Sequence, residues 1–229
     1  MSIADNYNMI QENIEKACQK AGRRKEDVRF IAVTKFVDEE RIAQAIACGA
    51  REVGENRVQE WQKKKEFFRN EHVSVHLIGQ LQTNKVKYII DEGLELIQSV
   101  DRLALAQEIE KQCAQHACAQ DVLLEVNIGD EAQKGGIEKD EITRLLDEIS
   151  AFSHIRVKGL MCIPPAVGAE EARCYFARMR VLFERLAGYS APNVQMQHLS
   201  MGMSGDYTVA IEEGATMVRV GTALFGARI

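Results

Sequence analysis

The chain alternates between short apolar runs and longer stretches whose apolar residues recur every three to four positions. The first such stretch is Ile3, Tyr7, Ile10, Ile14, Ala17 and Ala21, which predicts an amphipathic helix ending at Gly22. Phe30-Ile31-Ala32-Val33-Thr34 follows, uncharged and rich in β-branched and aromatic residues, and reads as a buried strand that runs into Lys35. Ile42, Ala45 and Ile46 mark a helix beginning near Asp38, with Gly49 just past its end. The alternation then repeats. Strands are expected at 51–56, 75–79, 96–100, 122–128, 157–162, 197–200 and 217–220. Helices are expected around Trp61 and Phe67-Phe68, at Asn84 to Asp91, after a cap at Asp101, along Ile142/Leu145/Leu146/Ile149, along Phe176 to Leu186, and just before Glu213.

Eight strands separated by helices imply right-handed crossovers and a parallel sheet. The pattern predicts a single (β/α)8 TIM barrel with an extra N-terminal helix, covering 1–229 as one domain. An open doubly wound sheet is the alternative, but Thr34-Lys35-Phe36-Val37 lacks the glycine-rich turn such a sheet carries after its first strand.

Composition narrows the function. A net charge of −5 leaves no basic face for nucleic acid, and Lys63-Lys64-Lys65, flanked by Glu60 and Glu66, reads as a solvated helix face. Six scattered cysteines without a CxxC pair suit reduced thiols better than a disulfide framework or a metal site. The N-terminus shows no signal-peptide pattern, and no apolar run is long enough to span a bilayer. A cytoplasmic protein is expected.

In a barrel the strand C-termini share one rim, where Lys35, Asn56, His76, Ser99, Asn127, Ser200 and Arg219-Val220-Gly221-Thr222 would converge. The set has no carboxylate pair, no metal-like cluster and no ordered Ser-His-Asp trio. A desolvated lysine with hydroxyl and backbone donors suits a carbonyl compound that also carries a phosphate. Ser200-Met201-Gly202-Met203-Ser204-Gly205 and Gly221-Thr222 follow consecutive strands, as phosphate loops do in barrels. Arg219, in an otherwise apolar strand, must face the site or pair with a carboxylate such as Glu125.

Five ordered segments carry a family resemblance: Ala32-Val33-Thr34-Lys35; Val53-Gly54-Glu55-Asn56 with Val58-Gln59-Glu60; His76 to Lys85; Leu199 to Ser204; and Val218 to Gly226. The sequence resembles the YggS/PROSC family of pyridoxal 5'-phosphate (PLP)-binding proteins, which have the alanine-racemase-type barrel. The resemblance implies that Lys35 forms a Schiff base with PLP and that Asn56 lines the cofactor. It implies that Ser200, Ser204, Gly221 and Thr222 lie in the phosphate-holding segments, without deciding which serine makes the contact. It further implies that Arg219 faces the pyridine ring, and it matches Lys134 to a second rim lysine whose alternative is a plain surface residue.

Two functions stand. One is a non-catalytic PLP carrier serving vitamin B6 homeostasis, monomeric, with apo PLP-dependent enzymes as recipients. The other is a PLP-dependent racemase or decarboxylase. The chain stops at Ile229, soon after its eighth strand, without the β-rich domain of racemases, and His76 is the one rim candidate for a second acid/base group. Both points favour the carrier.

Overall fold

A computed structural model describes residues 1–131 and 135–226. Eight parallel strands close into a barrel in sequence order: β1 (Arg29–Val33), β2 (Glu52–Glu55), β3 (Ser74–Leu77), β4 (Leu94–Val100), β5 (Gln120–Val126), β6 (Ile155–Cys162), β7 (Val194–Ser200) and β8 (Met217–Val220). The helices are α1 (Ile3–Lys20), α2 (Glu39–Ala47), α3 (Val58–Asn70), α4 (Leu103–His116), α5 (Ile142–Ile149), α6 (Ala169–Leu186), α7 (Tyr207–Glu212) and α8 (Thr222–Phe225). The predicted barrel with its extra helix is the observed fold.

Side chains cap the first two helices. Ser2 and Asp5 form a reciprocal capping box on α1, and the Asp38 side chain accepts the Arg41 N–H at the start of α2. Two expectations change. The helix expected at Asn84 to Asp91 is a tight 3-10 segment, Thr83–Tyr88, held by i→i+3 bonds. Asp101 does not cap α4. Arg102 occupies that position without a side-chain cap, and Asp101 instead accepts from the Arg102 guanidinium.

The N-terminal helix takes a place in the outer ring. It packs beside α7, α8 and α2. Buried Asn6 donates to Leu224 O at 2.9 Å, and Arg23 donates to Ile211 O and Ala215 O at 3.0 and 2.8 Å. α8 has only four residues, so α1 shields the side of the barrel near the β8–β1 seam.

The core has two parts. Between strands and helices lies a continuous apolar layer that includes Trp61, Phe68 and Phe176. Inside the barrel, Ile31, Leu96, Leu123, Met161 and Met217 form a separate dry plug. Above and below the plug the inward positions are polar, which sets up the site.

Gly159 marks where β6 and β7 lose register. Its φ is +146°, and a Cβ there would lie 1.9 Å from His198 O. Gly159→Ala should therefore force the two strands apart and cost about 3 kcal/mol, read as a lowered urea midpoint. Gly188→Ala, with nothing near its Cβ position, should leave the midpoint unchanged.

Candidate functional site

Barrel closure brings the ends of β1, β2, β7 and β8 to one rim. β1 pairs with β8 so that Ile31 faces Arg219 and Ala32 faces Val220. Lys35, half-buried two residues past β1, thus stands on the strand next to the β8 loop. Gly221 packs so tightly on β1 that a Cβ would lie 3.2 Å from Val33 Cβ. Any side chain there would need Val33 to give by a few tenths of an ångström.

The two serines named from sequence have different surroundings. Ser200 is fully buried and accepts from Arg219 Nη1 at 2.6 Å while donating to Gln98 Oε1 at 2.7 Å. Ser204 Oγ instead accepts the backbone N–H groups of Gly221 and Ala223, both at 3.2 Å. The β7–β8 loops thereby gather two backbone donors on one hydroxyl at the start of α8. Thr222 is exposed beside them. Asn56 is half-buried past β2, and its Oδ1 is buried with no hydrogen-bond partner among the described residues. Lys134 lies outside the described residues.

Arg219 is 3% exposed and points into the barrel, where Nη2 also donates to Cys162 O at 2.8 Å. Among the described residues no carboxylate lies within ion-pair distance of it, so the Glu125 salt bridge weighed from sequence does not form. Burial pulls the guanidinium below its ordinary range. Glu125 occupies β5, facing the same interior. Burial, with Asp101 adding to it and Arg219 opposing, raises its carboxyl to about 7.

Below Arg219 a chain of polar groups runs down the axis past the apolar plug. Gln98 Nε2 lies 3.1 Å from His76 Nδ1. His76 Nε2 lies 3.1 Å from Glu52 Oε2, an electrostatic contact rather than a well-aligned hydrogen bond. Glu52 receives Arg29 Nε at 2.8 and 2.9 Å, and Arg29 reaches Glu95 at 3.4 Å. Because Gln98 Oε1 accepts from Ser200, its amide N–H faces His76, which assigns the histidine proton to Nε2. Burial works against the Glu52 charge, but His76 and Arg29 together hold its carboxyl below the usual range. His76 is therefore not a rim residue. It is fully buried inside the barrel, between Gln98 and Glu52. Ser99 and Asn127 are also buried and tie loops, Ser99 to Gly79 O at 2.6 Å and Asn127 to Glu138 at 3.0 Å.

A second cluster lies behind Lys35. Glu55, fully buried, accepts from Thr34 Oγ1 at 2.7 Å and from Lys64 Nζ at 2.8 Å. Burial raises the Glu55 carboxyl, with the Lys64 hydrogen bond opposing. Lys64 is only 12% exposed, so the middle of the Lys63-Lys64-Lys65 run is not solvated. Phe36 adopts φ +59°, a left-handed conformation that costs a bulky residue roughly 1–3 kcal/mol. Sequence reading missed Glu52, Gln98, Glu55 and Lys64. The signal was available for the strand residues, which interrupt apolar runs, Glu52 and Gln98 facing into the barrel and Glu55 facing α3.

Other expectations can be stated for the described residues. No group of three or more potential ligands could hold a metal, no helix is long and apolar enough to cross a membrane, and none of the six cysteines is in a disulfide.

The family model for the alanine racemase N-terminal domain matches residues 6–229. A pyridoxal phosphate homeostasis protein of Aquifex aeolicus is 44% identical over 229 residues, spanning all of this chain and 99% of its own. The chain belongs to the pyridoxal phosphate homeostasis protein family. Solved structures share the fold. PipY of Synechococcus elongatus, with PLP bound, has a TM-score of 0.81 at 33% identity, covering 93% of this chain and 100% of PipY. An unknown protein from Bifidobacterium adolescentis has a TM-score of 0.92 at 36% identity, covering 97% and 94%.

Glu125 gives this family member a pH signature. Its folded carboxyl keeps a proton up to about pH 7, whereas the unfolded one ionises near 4.5. Between those values the native state binds the extra proton, so the contribution of Glu125 to stability is lost as pH rises. Glu125→Gln should therefore melt about 2–4 °C above wild type at pH 8, the shift that 1 kcal/mol makes in a domain of this size. The difference should close as pH falls to 4.5. Thermal melts across that range check it.

Proposed function

We propose that this protein binds PLP through Lys35 and serves cytoplasmic PLP homeostasis, holding and handing over the cofactor rather than turning over a substrate. The observation that carries this reading is the convergence on one rim of a lysine, a buried guanidinium with no carboxylate partner among the described residues, and paired backbone N–H donors. When bound, PLP supplies an aldehyde for an amine and a phosphate for backbone donors.

Each residue then has a task. Lys35 provides the amine for covalent attachment. Ser204, Gly221 and Thr222 would hold the phosphate, with Ser204 reorienting to share its two N–H groups. Ser200 holds Arg219 in place from below, and Arg219 would present its remaining N–H donors to the pyridine ring. Asn56 brings a buried acceptor that lacks a partner among the described residues. A cationic neighbour disfavours protonation of the ring nitrogen and so weakens the ring as an electron sink. Lys134 is kept as a second rim lysine by family resemblance alone.

The withdrawal of His76 supports the carrier over the racemase or decarboxylase. Racemisation needs an acid/base group on each face, and His76 is held inside the barrel by Gln98 and Glu52. One observation favours catalysis: Glu125 faces the barrel interior with its carboxyl raised to about 7, a value suited to proton transfer near neutral pH. The relatives' names speak for homeostasis, and weak turnover is compatible with them.

Attachment is tested by borohydride trapping and peptide mapping. Wild type should carry the reduced adduct on Lys35, and Lys35→Ala should lose it while staying folded. PLP at one hundred times its dissociation constant should stabilise wild type by about 2.7 kcal/mol, and pyridoxal at the same concentration by much less. A main adduct elsewhere, or equal stabilisation by both compounds, overturns these assignments.

Function is tested separately. The PLP-loaded protein should restore activity to an apo PLP-dependent enzyme. It should turn over alanine, lysine, arginine and ornithine well below the ~1 s⁻¹ floor of ordinary enzymes. Turnover above that rate, abolished in Glu125→Gln, would establish the catalytic reading.

A further inference from the structure

We propose that α3 braces Lys35, with Glu60 and Lys64 as positioning residues that fix where its amine stands. The inference rests on Lys35 being the attachment point and adds a reason for its placement. Lys64 Nζ donates to Thr34 O at 2.8 Å, and Glu60 Oε2 accepts the Phe36 N–H at 2.9 Å. The two peptide units flanking Lys35 are each pinned by one side chain of the same helix. Glu60 and Lys64 are four residues apart, one above the other on a single face.

The brace is itself anchored. Lys64 is held by Glu55 Oε1 at 2.8 Å, and the same oxygen takes Thr34 Oγ1 at 2.7 Å. Thr34, Lys64 and Glu55 therefore close a ring of hydrogen bonds behind the β1 terminus. On the other side of Lys35, Phe36 is left-handed at φ +59° and 60% exposed, its ring 5.6 Å from the guanidinium of Arg57, the residue that caps α3. A bulky residue holds that backbone conformation only where its surroundings impose it, and here α3 supplies two of the restraints beside the turn bond from Val37 N–H to Thr34 O at 3.1 Å.

Such a brace matters because a lysine side chain is long and flexible. If both flanking peptides are fixed, the amine searches a small volume above the rim. If either is released, the search volume grows and the reacting geometry becomes rarer. A loop tie that merely packs the β1–α2 connection would hold the fold without affecting how Lys35 reacts.

The test uses the PLP-free full chain and then the PLP-treated chain. Competitive labelling with acetic anhydride across pH, read by mass spectrometry, gives the Lys35 reaction rate relative to exposed Lys16 and Lys111. Glu60→Ala and the double variant Glu55→Gln/Lys64→Met each remove one arm. The double variant avoids leaving a lone buried carboxylate, which would threaten folding. Both should change the relative labelling rate and slow borohydride-trapped PLP attachment at Lys35 by about tenfold, with Lys16 and Lys111 unaffected. Glu60→Gln and Lys64→Arg keep an acceptor and a donor and should stay within about twofold of wild type.

Wild-type labelling and trapping in both disrupting variants overturn the brace and leave the attachment reading intact. Losses that Glu60→Gln and Lys64→Arg share equally also overturn it, in favour of general loosening. Labelling that responds as expected while wild type traps no PLP on Lys35 overturns the attachment reading and leaves the brace standing.

Discussion

A guanidinium buried inside a parallel barrel is the constraint around which this molecule is arranged. Taking an unpaired charge out of water costs several kcal/mol even after relaxation, and Arg219 has no carboxylate beside it among the described residues. What stabilises it is a set of oriented neutral acceptors, Ser200 Oγ and Cys162 O. Ser200 donates its hydroxyl hydrogen to Gln98 Oε1, which turns its lone pairs to Arg219, and Gln98 is oriented in turn by His76. The network reaches charged groups of both signs at Glu52 and Arg29 near the strand N-termini. The dry plug of Ile31, Leu96, Leu123, Met161 and Met217 lines the same interior. It keeps the dielectric low along the line, so each hydrogen bond is strong and each missing one would be costly.

The other half of the rim is built by a different device. Lys35 follows β1, and its flanking peptides are tied to α3, a helix that sits outside the strands. Polar groups on the barrel axis hold the arginine, and polar groups behind the strands hold the lysine. The Thr34–Glu55–Lys64 ring has the same logic as the axis, a buried carboxylate made tolerable by a cation and a hydroxyl. Its remaining oxygen, Glu55 Oε2, has no partner among the described residues, so burial still raises the carboxyl.

Much of this arrangement was legible in the sequence, for a physical reason. Strands of a parallel barrel are buried on both faces, so they appear as apolar runs, and all eight were visible. Residues just past those runs must lie on one rim, which made Lys35, Asn56, Ser204 and Gly221 stand out. Depth along a strand was harder to read. His76 is next to last in its strand, and whether its ring faces the mouth or the interior depends on side-chain parity and on shear. Lys64 was misread for a related reason: a run of three lysines suggests solvent, but the helix turns 100° per residue, so three successive residues cannot share a face. Thr83–Tyr88 closes with i→i+3 bonds instead of a regular helix, which periodicity alone does not reveal.

The seam between β1 and β8 connects the two halves. The Gly221 backbone rests against Val33, two residues before Lys35, and the donors grouped on Ser204 begin at Gly221 itself. The separation between the Lys35 amine and the donors of the β8 loop is thus set by backbone packing across a strand pair. Side-chain flexibility affects only the last few bonds on the lysine side, and the α3 ties restrict even those. A ligand carrying an aldehyde and a phosphate on one rigid ring has a fixed span between them. A seam of fixed width reads that span, whereas two flexible loops would accept many. A seam of this kind selects a ligand with few side-chain contacts, and in the proposed reading its glycine belongs to the recognition as much as the lysine does.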